Sequence, residues 1–130
     1  MSLKALVSFN EVVGMIFGLA LLFAPGFLLA TYGLGADDAT LLIARLLGAE
    51  FLGFNTVSLL VREHIDEPAI GRSFVIGRCL SEGSGFAVSL LGALMGVGNG
   101  LVWVIVTLYA LFTVGFLSVL LRGQAAYRPL

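Results

Sequence analysis

Residues Arg45-Leu46-Leu47-Gly48-Ala49-Glu50-Phe51-Leu52-Gly53-Phe54-Asn55 set an arginine, a glutamate and an asparagine inside a run apolar enough to cross a membrane. The run predicts a helix over about 39–62. Arg45, Gly48, Leu52, Asn55 and Leu59 form one stripe of it, and Glu50 lies about 140° from both Arg45 and Asn55 at 100° per residue. Polar groups on two faces imply two neighbours, or one neighbour and another subunit. The rest of the chain must supply partners for these charges.

Its composition says what kind of chain that is. Of 130 residues, 59% are hydrophobic and 12% charged, and the mean hydropathy is +1.07. A water-soluble domain of this size cannot hide so much apolar surface, so lipid is the expected solvent. The length suits one domain. The formal net charge of −1 offers no basic footprint for nucleic acid. Cys79 is the single cysteine, which excludes an internal disulfide. No CxxC, HExxH, Walker or GxGxxG pattern occurs. His64, the only histidine, sits among Glu63, Asp66 and Glu67 and reads as a loop residue, not a metal ligand. No metal and no cofactor is expected.

Three further apolar segments complete the pattern. The first, about 3–24, is interrupted by Asn10-Glu11, which argues against a cleaved signal peptide. It places Glu11, Gly14 and Gly18 on one helical face, the glycines forming GxxxG. Pro25-Gly26 ends or kinks it, and Phe27 to Tyr32 reads as a short amphipathic piece before Gly33 and Gly35. Asp37, Asp38 and Thr40 supply a cap and first-turn acids for the 39–62 helix. Arg62 to Pro68 is a polar loop, with Asp66 or Glu67 before Pro68 starting the next helix, about 69–96. There Arg78 and Glu82 stand at i, i+4, and Ser81, Gly85, Ser89, Gly92 and Gly96 make a small-residue stripe. Val97 to Gly100 forms a turn into the last helix, about 101–121, followed by a polar tail from Gly123 to Leu130. The expected fold is all-α: an integral membrane antiparallel four-helix bundle in one domain spanning 1–130. Lys4, Arg62, Arg72, Arg122 and Arg128 share one side and Asp37 and Asp38 the other, so both termini are expected to be cytoplasmic. Tyr32 and Trp103 then fall at the opposite interface.

Depth along the helices groups the charges. Glu11, Arg78 and Asn55 fall at one level, Glu50, Glu82 and Tyr109 near the midplane, and Arg45 in the outer third. Each charge at a helix centre costs about 2.5–3.5 kcal/mol on the insertion scale, so all five are expected to turn inward and pair. Two arginines serve three acids. Glu50, off the Arg45 stripe, is the acid left over and the first candidate for a ligand or proton site. The candidate set is Glu50, Glu11, Glu82, Arg45, Arg78, Asn55 and Tyr109. A structural polar core that only fixes helix register is the competing reading, and an oligomer seam through Glu50 a third.

Ala24-Pro25-Gly26, Tyr32-Gly33-Leu34 and Ala44-Arg45-Leu46-Leu47-Gly48-Ala49 resemble small, uncharacterised bacterial four-helix membrane proteins, loosely DoxX-like. That resemblance implies a four-span fold in a bacterial inner membrane and brings no catalytic residues. Glu11-Val12-Val13-Gly14 resembles the helix-one motif of small multidrug-resistance transporters, which would make Glu11 a proton- and substrate-binding acid. Arg45, Glu50, Arg78 and Glu82 depart from that family.

These features point to an inner-membrane protein that binds a hydrophobic or amphipathic small molecule, or a partner subunit, through a Glu/Arg polar core. A proton-coupled small-molecule exporter and a structural accessory subunit of a membrane complex, or a homo-oligomer, are the alternatives. No nucleophile–base pair, metal box or nucleotide loop points to an enzyme.

Overall fold

A computed structural model describes residues 2–123. The tail 124–130, with Arg128, lies outside the described residues. Among those described, there are five α-helices, a 3₁₀ turn and no strand: α1 (Leu3–Phe23), α2 (Pro25–Thr31), α3 (Asp38–Val61), α4 (Pro68–Leu94) and α5 (Val102–Leu121), with the 3₁₀ turn at Arg62–His64. α1, α3, α4 and α5 are long and apolar enough to span a membrane.

Local chemistry sets the boundaries. The Ser2 hydroxyl accepts from Ala5 N at 3.2 Å and caps α1. Ala24 leaves the helical region (φ −136°) ahead of Pro25, which opens α2 at its first position. The piece expected over Phe27–Tyr32 is therefore a true helix that starts two residues earlier. α2 and α4 end alike. Gly33 (φ 70°) and Gly96 (φ 75°) take the left-handed conformation, and each is bracketed by paired bonds: Gly33 N to Ala30 O with Leu34 N to Leu29 O, and Gly96 N to Ala93 O with Val97 N to Gly92 O. These are Schellman closures, which favour glycine because a Cβ is strained there. Asp37 caps α3 by accepting from Thr40 N at 2.8 Å.

The long helices associate as two antiparallel pairs, α1 with α3 and α4 with α5. α1 and α3 cross closely at glycines: a Cβ on Gly48 would stand 2.6 Å from Leu22 N and 2.8 Å from Gly18 O, and one on Gly14 would meet the Asn55 carboxamide. Gly85 holds the Tyr109 ring in the same way between α4 and α5. Gly92, of the same small-residue stripe as Gly85, meets only Val97 Cβ among the described residues, at 4.0 Å, and its carbonyl serves the α4 closure.

The pairs are joined at both ends. At the end carrying the N-terminus, Leu6 and Val7 pack with Ile65, Val75, Phe112 and Phe116 in a buried apolar cluster, and Lys4 pairs with Asp66 at 2.6 Å. At the far end, Asn99 N donates to Tyr32 O at 2.8 Å and Asn99 Nδ2 to Thr31 O at 2.9 Å. Between these ties α3 and α4 do not pack along each other, although they follow one another in the chain. A closed up-and-down bundle would have paired them. Large apolar side chains dominate the outward surface: Phe27 is 77% exposed and Leu80 75%.

Candidate functional site

Arg78 organises the polar interior. It is 3% exposed and Glu11 is fully buried. The Arg78 Nη2 group donates to Glu11 Oε1 and, from α3, finds Ser58 Oγ at 2.9 Å and Asn55 Oδ1 at 3.4 Å. Arg78 Nη1 reaches Glu82 Oε1 one turn along α4 at 3.3 Å. That same oxygen accepts from Asn10 Nδ2 at 3.0 Å. The guanidinium also lies over the Phe54 ring, 4.4 Å from its centroid, and 5.5 Å from that of Phe74. One cation thus ties α1, α3 and α4 together where the helix pairs would otherwise part.

The cluster forms one end of a cleft of about 270 Å³ between the two pairs. Asn10, Asn55, Arg78, Ser81 and Glu82 make its polar end. Its walls are Phe17, Leu21, Phe51, Ile105, Leu108 and Phe112, and it runs to Leu28, Leu29, Tyr32 and Leu34 by α2. Tyr109 faces it from α5. Glu82 lines the cleft, whereas Glu11 stands behind Arg78, out of it. Three buried polar atoms of this cluster have no hydrogen-bond partner among the described residues: Asn10 Oδ1 and Arg78 Nε at the cleft, and Glu11 Oε2 outside it. An unpaired buried donor or acceptor carries its full desolvation cost, about 1–3 kcal/mol.

Of the seven residues expected from the sequence, the structure brings together Glu11, Asn55, Arg78 and Glu82, with Tyr109 on the cleft wall. Arg45 and Glu50 require correction. Both are exposed on the outer surface of α3, neither lines the cleft, and neither has an ion pair or side-chain hydrogen bond among the described residues. The buried face of α3 is Ala44, Gly48, Asn55 and Ser58. Arg45 lies one residue, about 100°, off the line of Ala44, so the stripe drawn through Arg45, Gly48 and Asn55 was turned too far. Two members went unforeseen. Asn10 was visible beside Glu11 as the polar interruption of an apolar run. Ser58 stands three residues after Asn55, the spacing that shares a helix face. His64 is exposed and its ring bonds Glu67, and among the described residues no group of three His, Cys, Asp or Glu could hold a metal. Outside the spans, Asp37 has its carboxyl held below its ordinary value of 3.8 by the hydrogen bonds from Thr40.

No protein-family model, curated protein or solved structure matches the chain.

Proposed function

We propose that this is a small multi-pass membrane protein that binds an amphipathic small molecule in the cleft, its polar group at Arg78, Glu82 and Asn10 and its apolar body along Phe17, Phe51 and Ile105. The observation that carries this is the pairing of a long apolar wall with a buried polar end in which Arg78 Nε and Asn10 Oδ1 lack protein partners. A mostly apolar pocket with a few convergent polar groups is the usual form of a ligand site. Buried polar groups are normally hydrogen-bonded, so the two open atoms on residues that line the cleft are places where a ligand's polar group can bond.

The exterior supports a bilayer as solvent, since large apolar side chains cover the outer faces of all four long helices. Lys4, Arg62, Arg72 and Arg122 gather at one end of the molecule and Asp37 and Asp38 at the other, which supports cytoplasmic termini. Reporter fusions at Leu130 and in the Gly33–Asp38 loop check this. An externally reporting C-terminus would sink the orientation.

Binding is tested with dansyl-decanoate and dansyl-decylamine on the protein in lipid nanodiscs. One or both should give a saturable fluorescence rise above empty discs. Ile105→Trp, which fills the cleft and leaves the Arg78 cluster untouched, should weaken that binding about tenfold or more. No saturable signal, or an undiminished one in that variant, would remove the proposal.

One observation favours a second reading. Two carboxylates, Glu11 and Glu82, share one guanidinium, leaving a formal charge of minus one that a proton or a cationic ligand can balance. Proton-coupled export would use that balance, with Glu82 as the acid facing the ligand. Ligand binding that releases no proton in lightly buffered solution would exclude it.

A further inference from the structure

Of the charges in the four long helices, Asp38, Arg45, Glu50 and Arg72 have no ion pair or side-chain hydrogen bond among the described residues. Asp38 and Arg72 lie within the first five residues of α3 and α4, which leaves Arg45 and Glu50 as the two deep in a span. Glu50 is the thirteenth residue of the 24 in α3, the middle of the span, and Arg45 stands five residues closer to the Asp38 end. Given the reading that α3 crosses a bilayer, which is separate from what the cleft binds, both would face hydrocarbon, where unpaired charge is costly and normally partnered.

Their placement on α3 identifies a partner. Between them, on the side of the helix away from α1, runs Leu42, Leu46, Ala49, Gly53, Thr56 and Leu60, every one exposed. The steps are four, three, four, three, four, the repeat of a coiled-coil seam, with Leu46, Gly53 and Leu60 in one set of core positions and Leu42, Ala49 and Thr56 in the other. In that register Arg45 immediately precedes a core position and Glu50 immediately follows one, so the two flank the seam on opposite sides. When two such helices lie parallel, a side chain in the first flanking position faces the residue five further along in the other helix. Arg45 of each copy then meets Glu50 of the other, twice, by two-fold symmetry. An antiparallel pair would set Arg45 against Arg45 and Glu50 against Glu50. Copies inserted in one orientation present α3 in parallel, the arrangement that the charges favour. Ala49 and Gly53, between the charged levels, let the backbones approach, and a Cβ on Gly53 would meet no atom of its own chain within 4 Å.

We propose that the protein forms a parallel two-fold dimer through the outer face of α3, closed by reciprocal Arg45–Glu50 pairs between copies. The surface is self-complementary in charge, in register and in orientation, as an isologous interface requires.

The test uses the full chain in lipid vesicles at high dilution, with Cys79→Ser removing the native thiol. Gly53→Cys should form a disulfide-linked dimer under mild oxidation, while Ile16→Cys, on the exposed face of α1, should not. Photobleaching of singly labelled chains should show two steps. Arg45→Glu and Glu50→Arg should each lower dimer affinity about tenfold or more, and the two together should restore it to within about threefold. Gly53→Leu should lower it as well, with no loss of stability in the monomer. Single-step bleaching at every protein density, capture of a different protein in place of a second copy, or additive damage in the doubly reversed variant would each overturn the proposal.

Discussion

The Arg78 cluster and the Arg45–Glu50 face contain the same chemistry, guanidinium and carboxylate at depth in long apolar helices, yet one is buried and paired within the chain and the other is exposed with no partner among the described residues. At Arg78, four side chains from three helices converge on a single guanidinium. On the outer face of α3 the two opposite charges sit about 140° apart around one helix, too far to meet each other. The first arrangement answers the cost of burying charge within the chain. The second leaves it to be answered outside. The difference teaches that a charge in an apolar helix marks a contact without saying which molecule makes it.

Breaking the inner cluster should have the largest effect. Arg78→Leu leaves Glu11 and Glu82 buried without their cation and should cost about 3–5 kcal/mol in reversible unfolding from detergent. Combining it with Glu11→Leu should recover part of that loss, because a buried acid without a cation is the main penalty. Strictly additive losses in this double-mutant cycle would show that the pair is not coupled. Arg45→Leu, measured in dilute micelles where chains are separate, should cost far less. Equal losses at Arg45 and Arg78 would erase the contrast between the two regions.

Next come the glycines of α3, which distinguish its two faces by shape instead of charge. Gly48→Leu would drive a side chain into the backbone of α1 at Gly18 and Leu22 and should cost about 2–3 kcal/mol. Gly53→Leu, one turn on but facing outward, should leave the monomer as stable as the parent or slightly more so, since glycine is the poorer helix former. A comparable loss at both would mean that the outward face of α3 is covered by its own chain.

Much of this contrast was legible in the sequence, and its limits are physical. Depth is set by counting residues, so Glu11, Asn55 and Arg78 could be placed at one level, and that level is where they meet. Breakers and caps located the helix ends to within two residues, through Pro25, Asp37, Pro68 and Gly96. Rotation was harder. A helix in water shows its buried face by the contrast of apolar and polar sides, but α3 is apolar nearly all round, and its phase hung on a few polar residues. Including Arg45 in the stripe turned the reading far enough to bring Arg45 inward and to make Glu50 a core acid. Pairing of helices was hidden for a related reason. Short connections suggest sequential neighbours, yet the closest approach is chosen by Gly14, Gly18 and Gly48, which draw α1 onto α3 and leave α3 and α4 apart.

A smaller effect tests an exposed acid that does have a partner in its own chain. The Asp37 carboxyl accepts from Thr40 N at the start of α3, and those bonds hold its pKa below 3.8. The folded state therefore favours the ionised form. The contribution is complete above the unfolded pKa and fades as pH falls through the lower, folded value. Asp37→Asn keeps the cap without the charge, so its stability should lose that part of the acid slope. An unchanged slope below pH 3.8 would mean that the cap contributes nothing to the pH dependence.

The smallest expected effect belongs to Glu50 in the isolated chain. No group among the described residues bonds it, and it stands outside the cleft. Glu50→Gln should therefore leave the unfolding free energy in dilute micelles within about 0.5 kcal/mol of the parent, as outward substitutions generally do. Glu82→Gln, by contrast, removes a charge bonded to both Arg78 and Asn10 and should cost more than that under the same conditions. The comparison is sharpest when the same two variants are measured again at high protein density in vesicles. Glu50→Gln should then become costly because a second copy supplies the arginine, whereas the loss at Glu82 should not depend on density. A density-independent loss at Glu50 would place its partner within the chain and make the two regions one.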